Sequence, residues 1–221
     1  MLRAENAAQR TQGVKVDFRV YLITDRKLAR GGDLPGTVER ALEGGVRAVQ
    51  LREKDLTGKE IFRLAEKLRE ITARHGARLL VNDRADVARA VGADGVHLGV
   101  LSIPPRDARR LLGEDAIIGC SAHNGKELLE AEEGGADFVT FGPVYATASK
   151  ASFGPPLGVA ALSEACGKAR IPVFALGGVG TGNVVEAARA GSFGIALISG
   201  VISAADPRAA AEELARRFAQ A

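Results

Sequence analysis

The sequence predicts a single α/β domain folded as a (β/α)8 TIM barrel with parallel strands. Eight short apolar runs alternate with eight amphipathic stretches along the 221 residues, a pattern typical of parallel strands joined by helices. The apolar runs are continuous, as expected for strands that are buried on both faces. The length suits one domain of barrel size better than two small domains. We therefore favour a closed barrel over the alternative, an open doubly wound sheet.

The predicted strands are the eight apolar runs, and the predicted helices have apolar residues at every third or fourth position. The strands are predicted at 20–24, 48–51, 78–82, 95–98, 116–119, 137–142, 172–176 and 194–198. The helices are predicted at 37–43, 59–75, 85–91, 106–112, 126–133, 160–169, 183–190 and 207–219.

A weak internal repeat supports the count of eight units. The segments that begin at Ala41, Ala88, Ala131 and Ala187 each end a helix on glycine and enter a buried strand a few residues later. Residues 1–17 are polar and lack a clear period. We expect them to form an N-terminal arm, either loose or a short helix over the bottom of the barrel, ahead of a catalytic barrel domain at 18–221.

Composition and charge narrow the function classes. A net charge of +3, from 30 basic and 27 acidic residues, is too small and too scattered to indicate nucleic-acid binding, whereas phosphorylated small substrates would explain local basic groups. The sequence has no run of 18 apolar residues and no apolar core near its start, so we expect a cytoplasmic protein without membrane contact. Cys120 and Cys166 lack metal-ligand spacing and are expected to be reduced thiols.

Two glycine-containing strand ends predict a phosphate site. One apolar run ends in Gly177-Gly178 and is followed by a helical pattern, and the next ends in Ser199-Gly200. Glycine-rich backbone and the following helix start offer free N–H groups to an anion. In (β/α)8 barrels the loops after strands seven and eight are the usual phosphate site.

Three polar side chains end the second strand. Alternation places Gln50, Arg52 and Lys54 on one side and Leu51 on the other. At a barrel mouth these groups suit a pyrophosphate and a hydrogen-bonding ring. The alternative is a solvated charged loop.

The third and fourth strands end in groups that suit a metal or a structural role. Asn82 and Asp83 offer an amide and a carboxylate that fit Mg²⁺ and its substrate phosphates. The alternative is that Asp83 caps the helix that begins near Ala85. His97 ends the fourth strand, and a lone histidine there is more often structural than catalytic.

The fifth and sixth strands lead into further polar groups. Ser121 could bind a phosphate or a polar substrate, or its segment could cap the helix from Lys126 onward; no acid is placed for a hydrolytic triad. After the sixth strand, a long loop punctuated by glycine and proline could close over a substrate. Its residues Thr147, Ser149 and Lys150 could together hold a phosphate-rich leaving group.

Eight motifs in a fixed order link these positions to a known family. They are YLITD (21–25), VQLREK (49–54), VNDR (81–84), GVHLG (95–99), IGCSAH (118–123), GPVYAT (142–147) with Lys150, ALGGV (175–179) and IS (198–199). Each motif alone is weak, but the ordered set resembles thiamine phosphate synthase and its relative, the thiazole tautomerase TenI. The resemblance extends from Val20 to Phe218.

The resemblance implies a reaction and a set of site residues. The synthase joins hydroxymethylpyrimidine diphosphate to a thiazole phosphate and releases pyrophosphate, with the diphosphate leaving before the thiazole nitrogen attacks. By resemblance, the pyrimidine and its diphosphate would contact Gln50, Arg52, Lys54, Asn82 and Ser121, and Asp83 would bind Mg²⁺. Pyrophosphate or the thiazole would contact Thr147, Ser149 and Lys150, and the thiazole phosphate would contact Gly178, Ile198 and Ser199. Arg52, Ser121 and Lys150 are the implied catalytic residues of the synthase.

One segment departs from the family pattern, and it leaves alternatives open. Synthases continue the fourth strand as His-x-Gly-Gln-x-Asp and use that aspartate as a second Mg²⁺ ligand, whereas this chain has Val100 and Ser102 there. The tautomerase needs no Mg²⁺ and would use His123 as its proton carrier. The Ser199-Gly-Val201 ending is closer to the tautomerase, but retention of Gln50 and Asp83 favours the synthase.

A third alternative is a non-catalytic protein that binds a phosphorylated ligand. The sequence leaves the oligomeric state open, with a homo-oligomer among the candidates.

Overall fold

Eight parallel strands form a closed barrel in chain order, as the sequence predicts. The computed structural model describes residues 15–147 and 155–221. Each strand pairs with its neighbours in the sequence, and β8 pairs with β1 to close the barrel. The strands are β1 Val20–Ile23, β2 Ala48–Leu51, β3 Arg78–Asn82, β4 Gly95–Leu98, β5 Ile117–Ala122, β6 Phe138–Phe141, β7 Val173–Leu176 and β8 Gly194–Leu197.

Helices follow the strands and cover the outside of the barrel. The α-helices within the described residues are α1 Leu34–Glu43, α2 Gly58–Arg74, α3 Ala85–Ala90, α4 Pro105–Leu112, α5 Gly125–Glu133, α6 Gly158–Lys168, α7 Val184–Arg189, α8 Ser199–Ile202 and α9 Pro207–Ala219. The four-residue helix α8 was not predicted from the sequence. In the described part of the chain, no helix has the length and apolar character needed to cross a membrane.

The predicted end of the fifth strand is wrong. The strand was predicted at 116–119, but β5 continues to Ala122, with Ser121 in register with Thr140 of β6. The reason is that the Ser121 hydroxyl faces a hydrogen-bonding partner inside the barrel, so a polar residue does not end the strand. Ser121 therefore belongs to the strand rather than to the loop after it.

Helix α2 shows how local sequence fixes an element. Thr57 caps it: the Thr57 hydroxyl accepts a hydrogen bond from the Glu60 amide, and the Glu60 carboxylate accepts one from the Thr57 amide at 2.8 Å. Such a capping box satisfies amide groups that the first helical turn leaves unpaired. Ile61, Ala65 and Leu68 then recur at helical spacing on the buried face.

The barrel has an outer core between strands and helices and an inner core within the strands. Aromatic rings fill the lower part of the inner core: Phe18 lies 5.3 Å from Phe174 and 5.7 Å from Phe138, and Tyr21 lies 5.3 Å from Phe138, measured between ring centroids. Val16 is buried in the same cluster. Most of the predicted arm, residues 1–14, lies outside the described residues, but the chain just ahead of β1 is part of the inner core.

The aromatic layer requires a glycine on β5. A Cβ atom added to Gly119 would lie 2.4 Å from the Phe138 ring and 2.7 Å from His97 Nδ1. These distances are shorter than van der Waals contact, and the rings have no free space to enter because the interior is close-packed.

We predict that Gly119→Ala lowers the free energy of unfolding by ~1–3 kcal/mol, the usual cost of overpacking a filled core. The measurement is the thermal unfolding midpoint. Gly167→Ala in α6 is the matched control, because nothing lies within 4 Å of a Cβ added there and alanine is favoured over glycine in a helix by about 1 kcal/mol. Equal midpoints for the two variants would contradict this account of the interior.

Candidate functional site

Polar side chains form the layer of the interior nearest the barrel mouth. Gln50, Asn82 and Thr140 each lie two residues beyond an inward-facing apolar residue of the same strand, namely Ala48, Leu80 and Phe138. Because strand side chains alternate, the polar residues also face inward. Catalytic residues of (β/α)8 barrels lie at this carboxyl end of the strands.

A chain of hydrogen bonds crosses this polar layer. Gln50 Nε2 donates to the Tyr21 hydroxyl at 3.1 Å, and that hydroxyl lies 3.4 Å from His97 Nδ1. On the other side of the ring, His97 Nε2 lies 3.1 Å from Ser121 Oγ and 3.5 Å from Thr140 Oγ1. This hydrogen-bonded chain joins Gln50 and Ser121, two predicted site residues, through the buried side chains of Tyr21 and His97.

The His97 ring is neutral because it is buried. Only 2% of the residue is exposed, and burial lowers its pKa to about 3, with the Asp83 carboxylate opposing the shift and Arg52 adding to it. Burial likewise raises the pKa of the Tyr21 phenol. His97 is therefore a fixed hydrogen-bonding group within the interior, which fits the structural alternative in the sequence analysis.

A buried carboxylate fixes the loop after β2. Glu53 is 4% exposed, and its oxygens accept hydrogen bonds from Thr24 Oγ1 at 2.7 Å and from the Arg26 amide at 3.0 and 3.1 Å. Thr24 Oγ1 in turn accepts one from the Arg52 amide at 2.9 Å. Arg52 is half-buried and Lys54 exposed, so this loop is held by a buried network rather than solvated throughout.

Sequence reasoning missed Glu53. It lies out of phase with Arg52 and Lys54, on the side that was assigned to the apolar face. The signal available was the segment Thr24-Asp25-Arg26 after the adjacent strand, in which the Thr24 hydroxyl and the Arg26 amide are donors to an acid at this position.

Asp83 has its carboxylate oxygens held by neighbours at the rim. Its Oδ1 accepts hydrogen bonds from the Ser102 hydroxyl and, at 3.3 Å, from the Gly99 amide, while its Oδ2 accepts one from Asn82 Nδ2 at 2.6 Å. Its backbone is left-handed, with φ of 59°, which is uncommon for a residue with a side chain. The alternative that Asp83 caps the next helix is wrong: Arg84 is the N-cap of α3 and makes no side-chain cap bond.

This donor set fits Mg²⁺ better than a transition metal. Within residues 15–147 and 155–221, no three His, Cys, Asp or Glu side chains come together as a metal site. Mg²⁺ commonly takes one or two carboxylates and completes its six oxygens with water and substrate phosphates. Asp83, with the neighbouring Ser102 hydroxyl, could hold such an ion in that way.

The loops after β7 and β8 form a cup of backbone and small side chains. Gly178 is exposed and has a φ of 66°, and a Cβ added there would lie 2.5 Å from the Ala146 carbonyl oxygen. A Cβ added to Gly200 would lie 3.6 Å from the Val179 carbonyl oxygen, so the two loops meet. Ser199 begins α8 directly after Ile198. The predicted residues of the phosphate site are therefore adjacent.

The loop after β6 continues alongside β7. The Val144 amide donates to the Leu176 carbonyl at 2.8 Å, and the Tyr145 amide donates to the Gly177 carbonyl at 2.9 Å. This pairing leads the chain past Gly178 to Thr147, which is half-buried. The other two predicted residues of this loop, Ser149 and Lys150, lie outside the described residues.

His123 lies apart from the hydrogen-bonded chain of the interior. Its Nδ1 is 2.9 Å from Glu127 Oε2, and its amide donates to the same oxygen at 2.8 Å. With Leu128, Phe141 and Leu157 it lines a groove between α5 and α6 with a volume of about 230 Å³. Asn124, not Ser121, caps α5.

Comparisons with known proteins identify the family of the chain and agree with its fold. The model of the thiamine monophosphate synthase family matches residues 20–201. A protein of Geobacter sulfurreducens, provisionally named a thiamine-phosphate synthase, is 54% identical over 200 residues, which are 90% of this chain and 94% of that protein. The thiamine-phosphate synthase of Clostridium novyi is 40% identical over 200 residues, covering 90% of this chain and 98% of that protein.

A solved structure is similar throughout its length. The thiamine phosphate pyrophosphorylase from Pyrococcus furiosus superposes with a TM-score of 0.85 at 36% identity, covering 94% of this chain and 98% of that one. Since the family model spans most of the chain and the relatives match along nearly all of it, the chain belongs to the thiamine monophosphate synthase family.

Proposed function

We propose that the protein is a thiamine-phosphate synthase, a transferase of thiamine biosynthesis. It couples hydroxymethylpyrimidine diphosphate to hydroxyethylthiazole phosphate and releases pyrophosphate. The observation that supports this best is that the polar ends of β2 to β5 and the cup after β7 and β8 lie at the same barrel mouth. Two phosphorylated substrates can therefore meet there.

The reaction breaks the bond between the pyrimidine methylene carbon and the diphosphate oxygen and forms a bond between that carbon and the thiazole nitrogen. The chain's residues bind and orient the substrates, and none needs to act as a nucleophile. Arg52 and Lys54 are cationic groups at the rim of β2 and would stabilise the negative charge of the departing diphosphate. Gln50 and Ser121 would orient the pyrimidine deeper in the mouth.

Asp83 would hold Mg²⁺ at the rim, beside Asn82. When bound, the ion neutralises charge on the diphosphate oxygens. Asn82 keeps Asp83 Oδ2 in place, and Ser102 and Gly99 keep Oδ1 in place. This fixed carboxylate would need little reorganisation when the substrate arrives.

The cup formed by Gly178, Ile198 and Ser199 would bind the thiazole phosphate. Backbone amides that face an anion bind it without a charged side chain. Any side chain at Gly178 would displace the loop that carries Thr147, since the added Cβ would collide with Ala146. The proposed phosphate site therefore requires glycine at position 178.

The tautomerase alternative has less support. Its proton carrier would be His123, which is paired with Glu127 and lines the groove between α5 and α6. Relatives such as that of Clostridium novyi carry the synthase name, and the chain keeps Gln50, Lys54 and Asp83, which favours the synthase. A cytoplasmic location and a homo-oligomer remain predictions from the sequence.

We predict that the protein releases pyrophosphate from the two phosphorylated substrates only when Mg²⁺ is present. Asp83→Asn should lower kcat/KM at a fixed Mg²⁺ concentration by at least roughly 10-fold, the lower end of the cost of losing even an outer-shell partner of a metal. The measurement is a coupled pyrophosphate assay over a range of Mg²⁺ concentrations.

Asp86→Asn is the control for that experiment, because Asp86 is a nearby carboxylate that pairs with Arg84 on the outside of the barrel. It should retain wild-type turnover. No turnover by the wild-type protein at saturating Mg²⁺ would overturn the proposed function, and full activity of Asp83→Asn would overturn the role of Asp83.

We predict that Ser102→Asp increases synthase activity at low Mg²⁺. A second carboxylate beside Asp83 adds a unit charge next to the ion, and two unit charges 4 Å apart attract by about 1 kcal/mol in water and about 4 kcal/mol near a protein surface. The Mg²⁺ concentration for half-maximal activity should therefore fall by roughly 10-fold, which corresponds to about 1.4 kcal/mol.

Ser102→Asn is the matched control, since it has the same shape without the charge. In metal-free buffer the Asp variant should unfold at a lower temperature than the Asn variant, because its carboxylate repels Asp83. If both variants need the same Mg²⁺ concentration, position 102 does not act on the metal.

A further inference from the structure

The hydrogen-bonded chain across the inner barrel has a direction. Gln50 Nε2 donates to the Tyr21 hydroxyl oxygen at 3.1 Å. A phenol has one proton, and with its oxygen accepting from Gln50 that proton is available to donate elsewhere. Its partner is His97 Nδ1, 3.4 Å away.

The two nitrogens of the His97 ring have linked donor and acceptor roles. A neutral imidazole has one N–H and one acceptor nitrogen, and the bond made by one nitrogen sets the role of the other. Tyr21 is fully buried, so its proton needs an acceptor, and His97 Nδ1 is the partner that the described residues offer. This assigns Nδ1 as the acceptor and Nε2 as the protonated nitrogen, which donates to a hydroxyl. Ser121 Oγ, at 3.1 Å, is closer than Thr140 Oγ1 at 3.5 Å.

At its two ends, the hydrogen-bonded chain leaves the amide oxygen of Gln50 and the hydroxyl proton of Ser121 unused. Ser121 Oγ accepts from His97, so its own proton is left for a ligand. Gln50 donates through its nitrogen, so Oε1 is left to accept. Within the described part of the chain, neither side chain makes a second hydrogen bond. Gln50 is 1% exposed, and Oε1 keeps some accessible surface, because no fully buried side-chain oxygen of the described residues lacks a partner.

We propose that Tyr21 and His97 are specificity-determining positioning residues, which fix Gln50 as an acceptor and Ser121 as a donor and so select an aminopyrimidine over its oxo analogue. An aminopyrimidine has an exocyclic N–H donor beside a ring nitrogen that accepts. The oxo analogue has a carbonyl acceptor beside a ring N–H donor, which is the reverse pattern. This selection rests on the proposed function.

The expected discrimination is large. A site that is built to hydrogen-bond a substrate rejects the mismatched analogue by up to about 10⁴- to 10⁵-fold, because the buried polar groups of the site are then left unpaired. A rotatable amide that is not held could turn over and accept either pattern. The test therefore removes the hydrogen bond between Gln50 and Tyr21.

The test measures kcat/KM for hydroxymethylpyrimidine diphosphate and for its oxo analogue, each with saturating thiazole phosphate and Mg²⁺. The wild-type protein should favour the amino substrate by roughly 10³-fold or more. Tyr21→Phe keeps the packed ring but frees Gln50 and His97, so the ratio of the two kcat/KM values should fall at least tenfold. KM for thiazole phosphate should not change.

Thr140→Val is the matched control. It removes the second hydroxyl near His97 Nε2, lies in the same buried layer and breaks no link between Gln50 and Ser121. Its ratio should stay at the wild-type value. A ratio measures discrimination within one folded protein, so a general loss of stability would lower both kcat/KM values and leave it unchanged.

Two results overturn the proposal alone: a wild-type protein that uses both pyrimidines equally well, or a Tyr21→Phe ratio equal to that of the wild type. The first result needs no variant, so the test remains valid if Tyr21→Phe does not fold. Absence of turnover with either pyrimidine would overturn the proposed function, and the selection with it.

Discussion

The rest of the structure depends on the packing of aromatic rings inside the barrel. Phe18, Tyr21, Phe138 and Phe174 fill the lower interior with centroid separations of 5.2 to 6.2 Å where they contact. Their surface is the floor on which the polar layer lies. Because water cannot enter from below, the polar atoms that face this floor must find their partners among their neighbours.

The hydroxyl of Tyr21 joins the two layers. Its ring belongs to the aromatic floor, while its oxygen contacts Gln50 and His97 above. Gly119 is also required between the two layers, because it leaves room for both Phe138 and His97. In the proposed function, the donors and acceptors that contact the substrate are thus fixed by residues that pack beneath the polar layer and do not contact the substrate.

The rim of the mouth is held by different means. Glu53, from a buried position, accepts hydrogen bonds from the Arg26 amide and the Thr24 hydroxyl. Asp83 is held by three donors from β3 and the loop after β4. Each is a carboxylate whose neighbours fix it before any ligand arrives. In the proposed function, the interior determines which ring binds, and the rim determines where the metal ion and the diphosphate lie.

Local pattern was sufficient to predict the strands and most helices, because both depend on periodicity and on caps such as Thr57. It failed where partners lie far apart in the sequence. The end of β5 was wrong because Ser121 meets His97 from another strand, and Glu53 was missed because its partners Thr24 and Arg26 lie on the preceding unit. The contact between Ser102 and Asp83 joins residues 19 apart, and no periodicity encodes it.

The protonation of the His97 ring tests the account most directly. The chain has three histidines, so ¹⁵N labelling of the rings, with His75→Gln and His123→Gln for assignment, resolves each ring by two-bond ¹H–¹⁵N correlations. The account predicts that, in the ligand-free protein at neutral pH, His97 carries its proton on Nε2 and none on Nδ1. A proton on Nδ1, or on both nitrogens, would contradict the direction of the hydrogen-bonded chain.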